Sequence, residues 1–224
     1  YKSLRNIVVQ AAYSMADELD MPRPKNVTTL KPSGTLSKIM GCPEGAHRPL
    51  GRYIFNNVNF SKHDPILDKL RDANYRVFEN PSDPDAVLVT FPVEWSDVKF
   101  DIVDGKHVNN ETAIVQLQRY KMLMDNYVEQ NCSVTISYSP DEVKGIVDWL
   151  LNNWDNYVGV SFILRADASK TAADLGYLYL PQEVTTKELH DEYVAGLKPV
   201  DLDGTNTLEE LLEDECATGA CPIR

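Results

Sequence analysis

At 224 residues, 43% hydrophobic and 25% charged, the chain has the composition of a globular protein with material for one large core or two small ones. Its net charge of −12 and pI near 4.7 argue against a general nucleic-acid binder, which needs a basic face. No apolar run approaches the roughly 18 residues of a membrane span and no signal-peptide pattern opens the chain, so the sequence reads as soluble and cytoplasmic, with neither nucleic acid nor membrane as a partner.

Leu4, Ile7, Val8, Ala11, Met15 and Leu19 recur at helical spacing, and Pro22 and Pro24 end the run. An amphipathic element that starts at Tyr1 without a cap predicts a piece of a longer protein. The next stretch organises the rest. Val27-Thr28-Thr29-Leu30 predicts a strand, Pro32 stops its pairing, Gly34 permits a tight turn, and residues 35–40 begin a helix. Backbone N–H groups at such a corner, with the hydroxyls of Ser33, Thr35 and Ser37, can hold a phosphate without a side-chain positive charge. The same residues also suit an ordinary helix cap, and their chemistry alone leaves both readings open. Residues 41–49, rich in Gly and Pro, follow as an irregular loop placed to wall one side of a pocket.

Residues 53–60 predict a strand, and Asp64-Pro65 a helix start leading into Ile66, Leu67 and Leu70. Two short apolar runs, 75–78 and 86–91, flank a turn at 80–84. From Asn109 onward, Ala113, Leu117, Tyr120, Met124 and Tyr127 make a core-facing helical stripe. Residues 132–138 alternate as a strand. Ser139-Pro140-Asp141-Glu142 is a capping box for a helix that carries Val143, Ile146, Val147, Leu150, Leu151 and Trp154 on one face. The nearly continuous apolar run 157–164 predicts a strand buried on both sides. A second capping box at 185–188 starts a short helix with Leu189 and Tyr193. Strands alternating with helices over connections long enough for crossovers predict a parallel or mixed α/β fold. Residues 199–224 hold seven acidic residues and one basic residue, half of the net charge, and their polar composition is that of a flexible extension.

Two of the four cysteines, Cys216 and Cys221, enclose the small segment Ala-Thr-Gly-Ala near the end of the chain. The spacing lets the sulfurs reach bonding distance, and the tail offers neither a third cysteine nor a histidine for a metal. A dithiol that cycles with a disulfide is therefore favoured over metal binding. Cys132 reads as a small core residue, and Cys42, within the Gly/Pro loop, as a passive residue in preference to one that lines the pocket. His47, His63, His107 and His190 show no ligand spacing and read as surface or hydrogen-bonded histidines. No metal site and no Ser-His-Asp constellation is expected.

Lys31-Pro32-Ser33-Gly34-Thr35-Leu36-Ser37, followed by Gly41 and Gly45-Ala46-His47-Arg48-Pro49, resembles the substrate-phosphate loop of adenosylcobalamin-dependent (class II) ribonucleotide reductases. The ending Glu215-Cys216-Ala217-Thr218-Gly219-Ala220-Cys221-Pro222-Ile223-Arg224 is similar to the C-terminal shuttle dithiol of the monomeric ribonucleoside-triphosphate reductases of that class. The resemblance implies an α/β fold: the C-terminal part of a ten-stranded α/β barrel over residues 1–197, then a flexible acidic tail over 198–224 bearing the redox dithiol. It implies substrate-phosphate binding at Pro32, Ser33, Gly34, Thr35, Leu36 and Ser37, and a redox shuttle at Cys216 and Cys221 that thioredoxin or a similar reductant restores.

The same resemblance implies a ribonucleoside triphosphate as substrate and adenosylcobalamin as cofactor. In the family, homolysis of the cobalt–carbon bond generates a cysteine thiyl radical that abstracts the 3′ hydrogen of the ribose, and a pair of barrel cysteines reduces the 2′ position. The family's radical cysteine lies in an Asn-x-Cys-x-Glu arrangement. Asn131-Cys132-Ser133 has the wrong spacing, so the radical cysteine is expected outside this chain, and the missing N-terminal portion of the enzyme becomes an implied partner. The alternative is a free-standing phosphate- or nucleotide-binding module with a regulatory thiol pair.

Overall fold

Strands β1 (Tyr53–Ser61) and β3 (Ala86–Glu94) run antiparallel along their whole length, from Tyr53 opposite Glu94 to Ser61 opposite Ala86. β2 (Val77–Glu79) joins the far side of β3 and β8 (Gln182–Val184) the far side of β1, giving an antiparallel sheet in the order β2-β3-β1-β8. The structure is a computed structural model and describes residues 1–34, 36–165, 167 and 170–201.

Alternation along the strands gives this sheet two different faces. On one, helix α3 (Ile66–Asp72) buries Leu67 and Leu70 against Val87 and Val89, with Phe60 and Phe91 beside them. The helix starts as Asp64-Pro65 predicts, with the Asp64 carboxylate accepting the Ile66 N–H at 3.0 Å. On the other face lies α6 (Lys187–Gly196), whose Tyr193 hydroxyl donates to the Thr90 carbonyl at 2.8 Å and accepts the Arg76 N–H at 2.9 Å. The cap of α6 is Thr186, one residue beyond the box read in the sequence. Thr185 is committed to the sheet: it is buried, and its N–H donates to the Tyr53 carbonyl at 2.9 Å. The first residues past α6 dock on α3, where the Lys198 N–H donates to the Ala73 carbonyl at 3.0 Å and Val200 packs against the Leu67 cluster.

A second core forms around α4 (Ala113–Asn126), where Leu117, Tyr120 and Leu123 meet Cys132, Val134, Ile136, Ile146 and Trp149. Strand β6 (Thr135–Tyr138) crosses this core and α5 (Val143–Asn152) covers it. The predicted capping box is present, and its carboxylate does more than cap its own turn. Glu142 accepts the Ser139 N–H and the Ala113 N–H, each at 2.8 Å, and pairs with Arg165 at 2.8 Å, so one side chain fixes the starts of two helices and the end of a strand. Burial pushes the Glu142 pKa up, but these donors outweigh it and hold the carboxyl below its usual range.

The fold is mixed α/β, one of the two expected arrangements, with parallel pairing confined, among the described residues, to β6 and β7 (Ser161–Leu164). Several finer expectations are corrected. The run 157–164 is strand only over β7, and Phe162, Ile163 and Leu164 are exposed because β7 has no described neighbour beyond β6. The strand predicted from Cys132 begins at Thr135. On α5, Ile146 and Trp149 are buried while Val147 and Leu151 face outward, and Trp154, predicted on the same helical face, lies beyond the helix end and is exposed. Helix α1 (Lys2–Glu18) forms where its spacing predicts, yet only Ala16 is buried in it. A hairpin of β4 (Asp101–Val103) and β5 (Lys106–Val108), unanticipated from the sequence, turns on Asp104-Gly105, both at positive φ, a pair that suits the tightest hairpin turns.

Gly51 joins this hairpin to the main sheet. A Cβ there would lie 2.5 Å from a Val184 methyl and 2.6 Å from the His107 carbonyl oxygen. Gly51→Ala is expected to destabilise the protein by about 1–3 kcal/mol, the usual range for overpacking, measured as a lower urea midpoint at unchanged m-value.

Candidate functional site

The stretch leading into the corner at residues 32–37, the cradle, is held from a position far along the chain. Residues 27–30 do not form the predicted strand. The carboxylate of Glu129 accepts the N–H groups of Val27 at 2.7 Å and Thr28 at 3.1 Å, so donors that would enter a ladder go to a side chain instead. The Thr28 carbonyl accepts the Glu129 N–H at 3.0 Å, the Thr29 hydroxyl donates to the Asn131 carbonyl at 2.7 Å, and Arg5 of α1 pairs with Glu129 at 3.0 Å. The Val27 N–H above all, then those of Thr28 and Arg5, hold the Glu129 carboxyl below its ordinary range against the effect of burial.

Beyond Pro32 the chain turns at Gly34 and enters α2 (Leu36–Ile39), a single helical turn. Ser37 is buried, and its hydroxyl donates to the Ser33 carbonyl; the Ser37 N–H goes to the same oxygen at 3.3 Å. Among the hydroxyls read from the sequence, that of Ser37 therefore ties the corner together, while Ser33 is half-buried and Gly34 and Leu36 are exposed. Thr35 lies outside the described residues, as do Cys216 and Cys221. Lys38 sits beneath the turn: its ammonium donates to the Gly34 carbonyl at 2.6 Å and pairs with Glu44. The corner thus has a cation under it that the sequence reading did not require.

The Gly/Pro loop walls the cradle as predicted, and contacts on three sides fix it. Gly45, at φ 59°, comes so close to Pro32 that a Cβ would stand 3.0 Å from the Pro32 nitrogen. His47 donates from Nδ1 to the Glu44 carbonyl at 3.0 Å and accepts the Thr135 N–H at Nε2, also at 3.0 Å, which sets a neutral tautomer and ties the loop to β6. Arg119 of α4 pairs with Glu111 and reaches the Ala46 carbonyl at 3.4 Å. Cys42 is exposed at the start of this loop and Cys132 is buried in the second core, where burial pushes its thiol pKa up.

The cradle lies over the open part of the main sheet. A cavity of about 420 Å³ is bounded by Gly34, Lys38 and Ile39 above and by Val58, Phe60 and Phe91 below. Its floor is apolar and its rim polar, an arrangement that suits a ligand with a flat organic body and a charged end. On the other side of the Lys38–Glu44 pair, a second cavity of about 260 Å³ reaches from Glu44 and Arg48 to Trp95 and Gln182. Among the described residues, no group of His, Cys, Asp or Glu is placed to hold a metal ion, and no helix is long and apolar enough to cross a membrane.

No known protein-family profile matches the chain. Individual proteins do. The adenosylcobalamin-dependent ribonucleoside-triphosphate reductase of Lactobacillus gasseri is 26% identical over 228 residues, covering 99% of this chain and 29% of its own. The protein of the same name from Levilactobacillus brevis is 25% identical over 230 residues, covering 100% of this chain and 30% of its own. The chain is similar to adenosylcobalamin-dependent ribonucleoside-triphosphate reductases. A probable reductase of this name from Dictyostelium discoideum is 26% identical over 217 residues, covering 92% of this chain and 26% of its own. The crystal structure of a B12-dependent (class II) ribonucleotide reductase shares the fold, with a TM-score of 0.72 and 21% identity over 96% of this chain and 28% of that one. The chain spans about 30% of the length of the curated reductases it matches.

Glu129 carries no local signal in the sequence, yet the whole entry to the cradle hangs on it. Its folded pKa lies below the ordinary 4.5, so its stabilisation is complete above that value and disappears as the pH falls through the lower folded one. Glu129→Gln is expected to cost about 1–3 kcal/mol at neutral pH. In denaturant titrations the gap from the parent chain should narrow steadily as the pH drops below 4.5.

Proposed function

We propose that this chain is the part of an adenosylcobalamin-dependent ribonucleoside-triphosphate reductase that carries the substrate-phosphate loop and the thiol shuttle. The observation that carries the reading is similarity to reductases of that name along 99% of the chain, at a length of about 30% of theirs. The cavity beside the loop supports it: a ribonucleotide could place a phosphate at Ser33, Gly34 and Leu36 and lay its sugar and base over Val58, Phe60 and Phe91. Pro32 and Ser37 shape the turn from behind, and Thr35 would add its N–H and hydroxyl.

On this reading the described sheets are a share of a ten-stranded α/β barrel completed by the rest of the enzyme. That remainder supplies the radical cysteine and the cysteine pair that reduces the ribose. Cys216 and Cys221 would carry electrons to that pair by thiol exchange: the two tail thiols become a disulfide as the barrel disulfide returns to two thiols, and thioredoxin or a similar dithiol restores the tail. Adenosylcobalamin, when bound, supplies the carbon-centred radical that starts the chemistry. The two cavities beside the cradle, about 420 and 260 Å³, are smaller than a corrin with its axial groups, so no residue of this chain is assigned to the cofactor.

The test is complementation. Mixed with the complementary portion of a reductase, adenosylcobalamin, thioredoxin and a ribonucleoside triphosphate, the chain should give deoxynucleotide over many turnovers. Replacing both Cys216 and Cys221 by Ser should leave about one turnover per enzyme. Unchanged thioredoxin-driven turnover by that variant removes the shuttle role, and tight nucleotide binding by the isolated chain with no complementation favours a free-standing module.

A further inference from the structure

The smaller of the two cavities gathers hydrogen-bond donors that have nothing to bind. Among the described residues, the Arg48 guanidinium makes no direct hydrogen bond. Its nearest carboxylate, Glu111, is 3.8 Å away and is taken up more closely by Arg119. The Phe100 ring lies 5.5 Å from the guanidinium carbon, which leaves the fork of Arg48 positioned but unspent. Trp95 lines the same cavity with its ring; its indole N–H has no acceptor but is itself buried away from a ligand's reach. The side-chain amide of Gln182, a third lining group, also makes no hydrogen bond among the described residues.

Charge points the same way as the donors. Arg48 and Arg119 share the single carboxylate of Glu111, whose side chain is only 6% exposed, so this cluster carries one positive charge in excess. The acidic residue that lines the cavity, Glu44, is neutralised by Lys38, which itself lines the larger cavity beside the cradle. A buried donor without a partner is costly, and an arginine fork matches phosphate in shape as well as charge. A volume of about 260 Å³ admits a phosphate group with its hydration.

We infer that the cavity under Arg48 is a second anion subsite, which takes a distal phosphate of the nucleotide whose first phosphate sits on the cradle. Arg48 supplies the charge and the fork, and Gln182 supplies a further donor. The inference rests on the phosphate-loop reading above and adds to it a basis for favouring triphosphates over shorter phosphates. It also gives the motif Gly45-Ala46-His47-Arg48-Pro49 two distinct tasks: Gly45 and His47 hold the wall, and Arg48 binds.

The chain as it stands can be titrated calorimetrically with orthophosphate and with tripolyphosphate at low ionic strength. Tripolyphosphate is expected to bind at least ~10-fold more tightly, the worth of one or two charge-assisted hydrogen bonds. Arg48→Gln should erase that advantage while leaving orthophosphate affinity unchanged. If tripolyphosphate binds no more tightly than orthophosphate, or if Arg48→Gln retains the full advantage, the subsite is overturned and the cradle reading stands. Binding of neither anion overturns both.

Discussion

The N–H groups of Val27 and Thr28 have no strand to pair with, and the Glu129 carboxylate takes both. The same solution recurs at three other places, on the free edge of β6 and at the starts of α4 and α5. His47 accepts the Thr135 N–H, Gln116 accepts the Ser137 N–H and returns a donor to the Ser137 carbonyl, and Glu142 accepts those of Ser139 and Ala113. A buried backbone group must find a partner. Here side chains from remote elements supply it, and by doing so they fix the cradle, its wall and the second core relative to one another. Each of these acceptors reaches across at least two elements or joins segments distant in sequence, so side chains rather than a shared sheet tie the cradle's entry and wall to the second core.

This explains which features were legible in the sequence. Local devices were: the helical spacing of α1 and α4, the Asp64-Pro65 start of α3, the Ser139 box, and the 80–84 turn between β2 and β3 all depend on residues within one turn of each other. Residues 27–30 have strand composition, but strand status depends on a neighbour, and here the neighbour is a single glutamate about 100 residues away. The apolar run ending in β7 was legible as strand, but not its exposure, because burial depends on what lies across the sheet. At the cradle, Pro32, Gly34 and the Gly/Pro wall could be read, whereas Lys38, Glu111, Arg119 and Trp95 matter through contacts that no spacing rule connects.

Electrostatics constrain how an anion could be held on a chain with a net charge of −12. Half of that charge belongs to residues 199–224, and repulsion between exposed groups fades over about 8–10 Å in physiological salt. What a phosphate meets at close range is therefore set by neighbouring residues. Around the cradle these are Lys38, balanced by Glu44, and the Arg48–Glu111–Arg119 group with its one surplus positive charge. Backbone donors at the turn and a local surplus of arginine are complementary: the first fix position, and the second adds attraction where the turn itself carries no charge.

The two edges of the small parallel sheet are unlike, and the difference bears on assembly. The outer edge of β6 is occupied, since His47 and Gln116 bond the groups that another strand would use. The outer side of β7 has no described strand beside it, and Phe162, Ile163 and Leu164 are exposed there. A sheet closed by side chains on one edge can extend only from the other. Helices α5 and α1 also expose apolar residues, notably Val147, Leu151, Leu4 and Ile7. If further strands add to this small sheet, they must begin at β7, because the far side of β6 has already been given to the wall of the cradle.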